Sequence, residues 1–214
     1  VASAQTGSIE YTLTAKNPLS HLYAVEIEIT GIRSTKVDVA MPAWSPGVYA
    51  IRNFAGGVQQ FEVATRQNRP LEFEQIDKQT WSISKQAGDD LRVRYGVYST
   101  AFNDEMADIL PASVFMYVVG RTQLPVSVRY ETAGGWKVYT GLEKHGDRYV
   151  APDYDTLSTS PAFLGEFKVL EFKSGNVPYR VVFTNPRTQM TLPQIESDLQ
   201  DLASAAVSMF GSAR

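Results

Sequence analysis

"SIEYTLTAK", residues 8 to 16, decides how the chain is read. Ile9, Tyr11 and Leu13 fall on one side of an extended segment, with Glu10, Thr12 and Thr14 on the other. That period of two is the mark of a half-buried β-strand, because successive side chains point to opposite faces of a sheet. The next run, "YAVEIEIT", repeats it with Val25, Ile27 and Ile29 inward and Glu26 and Glu28 outward. Runs of the same kind span 36 to 41, 58 to 65, 79 to 84, 91 to 98, 114 to 119, 125 to 131, 147 to 151, 164 to 173 and 177 to 184. Gly, Pro, Asn and Asp clusters such as "RQNRP", "QAGDD", "TAGGW" and "KSGNVP" separate them. Many short strands with no helical period between them predict antiparallel sheets packed as a sandwich.

The pattern changes once, near residue 190. In "TLPQIESDLQDLASAAVSMFG", Thr191 is a candidate N-cap with Gln194 three residues on, a capping-box spacing. Pro193 in the first turn costs no helical hydrogen bond. Ile195, Leu199, Leu202, Ala206, Met209 and Phe210 follow at helical spacing, and Gly211 is a natural stop. The fold class read from these patterns is mainly β: an antiparallel β-sandwich-like domain over 1–187, then a linker and one amphipathic α-helix within 188–214.

The 214 residues are 43% hydrophobic, ample for a packed core, and contain no apolar run long enough for a membrane-spanning helix. Twenty basic residues oppose 23 acidic ones, for a net charge of −3 without any basic block, which argues against a nucleic-acid partner. Cysteine is absent, excluding disulfides, thiolate nucleophiles and cysteine-ligated zinc. Val1-Ala2-Ser3-Ala4-Gln5 resembles the small-residue end of a secretory signal and sets an expectation of export to the periplasm or cell envelope, with the cytoplasm as the alternative.

The chemistry-bearing inventory is thin. The two histidines, His21 and His145, are not joined in any His-Glu-x-x-His pair, so no zinc motif lies in the chain, and both are expected in loops. No Gly-x-Ser-x-Gly elbow is present. Two acidic groups remain. Asp153 and Asp155 in "APDYDTLSTSP" would point the same way along an extended segment; against a cation site stands the commoner role of capping local turns. In "FNDEMADILP", Asn103, Asp104, Glu105 and Asp108 crowd one loop that would offer a carboxylate to a cationic group.

Trp44, Trp81 and Trp136 each stand beside a turn. Large aromatics are mostly buried, so all three are expected at corners of the core. Ser45-Pro46-Gly47-Val48 fits a type II turn, which leaves Trp44 to plug the corner and Tyr49 and Phe54 to continue the core.

"MPAWSPGVYAIRNF", "DKQTW", "YGVYS", "WKVYTGL", "DYDTLSTSP" and the final "MFG", taken in order, resemble the glycyl-aminopeptidase family of metallopeptidases. Those enzymes are thermolysin-like zinc peptidases with an N-terminal β-domain and a C-terminal PDZ domain. The resemblance runs along essentially the whole chain; Thr159 stands where the family often has Asp before the Ser-Pro. It implies that the zinc-holding helix lies beyond Arg214, so no catalytic or metal residue is carried onto this sequence, and the chain alone is expected to be inactive and to bind no cofactor. Zinc, a catalytic domain in cis and a peptide substrate are what the full-length family implies. Asp104 and Glu105 are the candidate substrate-binding residues, facing a peptide ammonium across the cleft. The competing reading is a stand-alone sandwich that binds glycans or extended peptides on its tryptophans.

Overall fold

The computed structural model describes residues 7–47, 49–184 and 191–211. Two compact units divide the chain, Val1–Gly165 and Glu166–Arg214.

In the first unit the strands are β1 (Ser8–Ala15), β2 (Leu22–Thr30), β3 (Lys36–Ala40), β4 (Val58–Thr65), β5 (Phe73–Gln75), β6 (Thr80–Ser84) and β7 (Leu91–Tyr98). After them come β8 (Met106–Ile109), β9 (Tyr117–Val118), β10 (Val126–Thr132), β11 (Lys137–Thr140), β12 (Glu143–His145) and β13 (Arg148–Ala151). A short helix α1 (Tyr154–Ser158) and β14 (Ala162–Gly165) close the unit. A seven-stranded sheet runs in the order β12-β13-β10-β1-β2-β7-β4, a four-stranded sheet in the order β5-β6-β3-β9, and a third in the order β11-β14-β8.

The alternation in "SIEYTLTA" is realised as read: Ile9, Tyr11 and Leu13 are buried and their neighbours are not. Tyr23, Val25, Ile27 and Ile29 of β2 and Leu91, Val93, Tyr95 and Val97 of β7 continue the same inner face. Phe61 stacks on Trp81 at 5.1 Å between ring centres, joining the large sheet to the four-stranded one. On the outer face the charges pair across strands: Glu28 with Arg92 at 3.0 Å, Glu26 with Arg94 at 2.7 Å and Glu10 with Arg148 at 3.0 Å. One pairing departs from the expected antiparallel pattern. β1 runs parallel to β10, with Ile9 opposite Val126 and Leu13 opposite Tyr130.

Between the sheets runs Val114-Phe115-Met116, buried but outside any strand. Its three consecutive carbonyls are each taken by a tyrosine hydroxyl: Tyr95 donates to Val114 O at 2.9 Å, Tyr154 to Phe115 O at 2.6 Å and Tyr11 to Met116 O at 2.8 Å. The Tyr95 hydroxyl also accepts from Met116 N at 3.0 Å. Buried backbone without a ladder must find partners elsewhere, and here three core rings supply them.

The second unit contains β15 (Lys168–Ser174) and β16 (Val177–Phe183), an antiparallel hairpin, and α2 (Leu192–Phe210). The expected run 164–173 is thus two strands, broken at Glu166 and Phe167, where the units divide. Helix α2 carries the full capping box: Gln194 N donates to Thr191 Oγ1 and Thr191 N donates to Gln194 Oε1. No described helix is long and apolar enough to cross a membrane.

Candidate functional site

Asp104 and Glu105 sit at the tip of the turn that joins β7 to β8. Asn103 Oδ1 accepts from Glu105 N at 3.0 Å and from Met106 N at 3.1 Å, and Asn103 N donates to Met106 O at 2.9 Å. An Asn side chain that mimics the backbone in this way makes a firm, short turn. Both carboxylates are exposed, and neither is in an ion pair with a described residue. Asp108, expected in the same loop, lies instead on β8, opposite Phe163 of β14.

The extended segment expected at Asp153 and Asp155 is a helix. Asp153 is the N-cap of α1, its Oδ1 accepting from Thr156 N at 2.7 Å, and that bond holds its carboxyl below the ordinary range. Asp155 falls in the first helical turn, and its carboxylate is exposed. The two acids therefore do different jobs and do not converge on a cation.

His21 shares its Nδ1 with the Phe102 carbonyl, and His145 pairs its Nε2 with Glu143 at 2.8 Å. His145 ends the edge strand β12, and three strands lie between it and the strand that His21 precedes. Among the described residues no group of three or more His, Asp or Glu side chains could hold a metal ion. These residues do not fit a zinc site.

Trp44 and Tyr49 correct the sequence reading. Trp44 is 49% exposed and Tyr49 97% exposed, with Ile51 in the same loop at 81%. The loop buries Met41 and Ser45 instead, turning Trp44 outward between them. Gly47 has the positive φ of 83° that a type II turn requires; its fourth position, Val48, lies outside the described residues, as do Val1 to Gln5. Trp81 is buried as expected, Trp136 packs edge-on to Phe102 at 6.2 Å, and Phe54 packs against the core.

Trp44 borders a groove of about 670 Å³ that is also lined by Pro46, Tyr117 and Thr122, by Tyr154, Asp155 and Ser158 of α1, and by Thr159 just after it. It brings together "AWSPG" and "DYDTLSTSP", two motifs more than a hundred residues apart in the chain. Sequence reasoning missed it because Tyr117 and Tyr154 carry no local signal that they meet, at 5.4 Å between ring centres.

Residues 10–166 match the model of the peptidase M61 N-terminal domain. The chain belongs to that family. The M61 domain match ends within one residue of the boundary between the two compact units. In fold, the chain is similar to a crystal structure of an aminopeptidase N family protein from Idiomarina loihiensis, with a TM-score of 0.89 at 24% identity over 96% of the chain. It spans 37% of that protein's length. A two-domain M1 zinc metallopeptidase aligns with a TM-score of 0.47 at 11% identity, over 97% of this chain and 54% of that one. Leukotriene A4 hydrolase from Saccharomyces cerevisiae aligns at 0.48 and 9%, over 97% and 36%. No curated protein sequence matches.

Proposed function

We propose that this M61 N-terminal domain is the non-catalytic β-domain of a zinc-dependent aminopeptidase, flanking the cleft where a catalytic domain in cis hydrolyses peptides at small N-terminal residues. The observation that carries this reading is the family match over residues 10–166. In this reading the zinc is held by the catalytic domain, since this chain carries no His-Glu-x-x-His motif. Two large apolar side chains exposed in one loop, Tyr49 and Ile51, suit a surface that a larger enzyme covers. Helix α2, with Leu202, Met209 and Phe210 exposed, is read as the first element of that catalytic domain.

In this reading the turn at Asp104 and Glu105 faces the free amine of the substrate, where a carboxylate near a low-dielectric wall attracts an ammonium. Two experiments test the proposal. The reading frame beyond codon 214 should encode His-Glu-x-x-His; a stop or an unrelated domain there overturns the peptidase reading. In the complete enzyme, Asp104→Asn with Glu105→Gln should raise KM for free-amine peptides about two- to fivefold, as the loss of an exposed ion pair does, and leave kcat unchanged. An unchanged KM removes the acidic turn from substrate binding.

A further inference from the structure

The groove between the Trp44 loop and α1 has a chemistry that the reading above does not use. Its walls are aromatic and prolyl, and among its lining residues one side chain is charged, Asp155. On the outer face of the large sheet, Glu10, Glu26, Glu28 and Glu131 have basic partners. Asp155 is in no ion pair with a described residue, and Arg52 and Arg121, the cations on the flanking loops, do not line the groove. Arg121 is turned onto the Gly120 carbonyl at 3.1 Å.

The walls are also held in place. The Tyr154 hydroxyl is committed to Phe115 O and its backbone N–H donates to Thr122 O at 2.8 Å, so its ring cannot swing to fill the space. The Ser158 and Thr159 hydroxyls both donate to the Asp155 carbonyl at 2.9 Å, which leaves their oxygen lone pairs free to accept. The groove therefore offers a half-exposed indole, a carboxylate in no ion pair with a described residue and two hydroxyl acceptors, and no basic side chain lines it.

We propose that this groove binds an arginine side chain presented by an extended peptide. A guanidinium stacks on an indole face, reaches a carboxylate through paired N–H groups and still has donors left for hydroxyl acceptors. A lysine ammonium is a point charge and uses fewer of these features. The groove volume of about 670 Å³ exceeds one side chain, leaving room for the flanking backbone. The inference is independent of the acidic turn at 104–105 and of what lies beyond residue 214.

The test is a calorimetric titration of this chain with acetyl-Ala-Arg-Ala-amide, repeated with the citrulline peptide, its neutral near-isostere. Saturable binding of the arginine peptide, about tenfold or more tighter than the citrulline peptide and weakening with added salt, is expected. Asp155→Asn, a near-isosteric change at an exposed position, should abolish the preference for arginine, and Trp44→Ala should weaken binding about fivefold or more. Equal affinity for arginine and citrulline peptides, or no saturable binding of either, overturns the proposal without any variant being needed. An Asp155→Asn protein that still prefers arginine overturns it as well.

Discussion

Trp44 and Trp81 look alike in sequence, each beside a turn, and the structure separates them. Trp81 is stacked under Phe61 inside the sandwich, whereas Trp44 is half-exposed at a groove. Trp81→Ala should cost about 3–5 kcal/mol, as the removal of a buried aromatic does, while Trp44→Ala should cost less than about 1 kcal/mol. Urea unfolding of the two variants, compared at equal slope, checks the contrast. The burial of an aromatic was not legible here because composition sets only an average; which side of a Pro-rich loop faces the core depends on Met41 and Ser45 filling it first. Lys85 makes the same point from the polar side. It is buried, and its ammonium donates to the carbonyls of Ile32 at 2.6 Å and Asp89 at 3.0 Å, sewing two loops together. Lys85→Met would leave those carbonyls without a donor and should cost about 1–3 kcal/mol.

At the scale of elements, the strands with clear alternation, β1, β2 and β7, were legible, and so was the capping box of α2. The strand β8 was not, because "MADI" sits among acidic loop residues and pairs only with a strand more than fifty residues away. Nor was the parallel pairing of β1 with β10, since a period of two is the same in either direction. Helix α1 was hidden by its length, though Asp153 three residues before Thr156 is its capping signal. Asp153→Ala should destabilise the domain by about 1 kcal/mol, and Asp153→Asn by much less, because Asn caps nearly as well. The carboxyl is held below its ordinary range, so this contribution is fully present above the unfolded value and is lost as pH falls through the folded one. Guanidinium midpoints of the wild type and Asp153→Ala should therefore converge in acid.

The tyrosine clasp on Val114-Phe115-Met116 links element to core and has its own pH signature. Burial raises the pKa of Tyr11, Tyr95 and Tyr154, the proton staying on each hydroxyl that donates to the segment. A group whose folded pKa lies above its unfolded value stabilises below the unfolded value and loses that contribution as pH rises. The domain should thus weaken steadily above about pH 10, where unfolded tyrosine ionises. Tyr95→Phe, which loses both a donor to Val114 O and an acceptor for Met116 N, should cost about 2–3 kcal/mol at neutral pH. It should also make the alkaline decline shallower, read as a smaller fall in unfolding midpoint between neutral and alkaline buffer.

For the whole molecule, the two units differ in what they can do alone. The first closes one continuous hydrophobic cluster, fed by the inner faces of its sheets and clasped by three tyrosines. In the second, the β15–β16 hairpin has Phe172 buried and stacked on Tyr179 at 5.1 Å, but α2 has no buried residue. An isolated hairpin and one helix seldom bury enough apolar surface to offset the entropy of ordering them. Residues 1–165 expressed alone should therefore unfold cooperatively, with a urea slope close to that of the whole chain. Residues 166–214 alone should show little helix by circular dichroism despite the capping box, because a cap lowers the cost of starting a helix but supplies no face for Leu202, Met209 and Phe210 to pack against. A 166–214 fragment with a cooperative thermal transition would show that the hairpin and helix form a domain in their own right. It would also remove the ground for reading α2 as the opening helix of a catalytic domain that needs the rest of that domain to be stable.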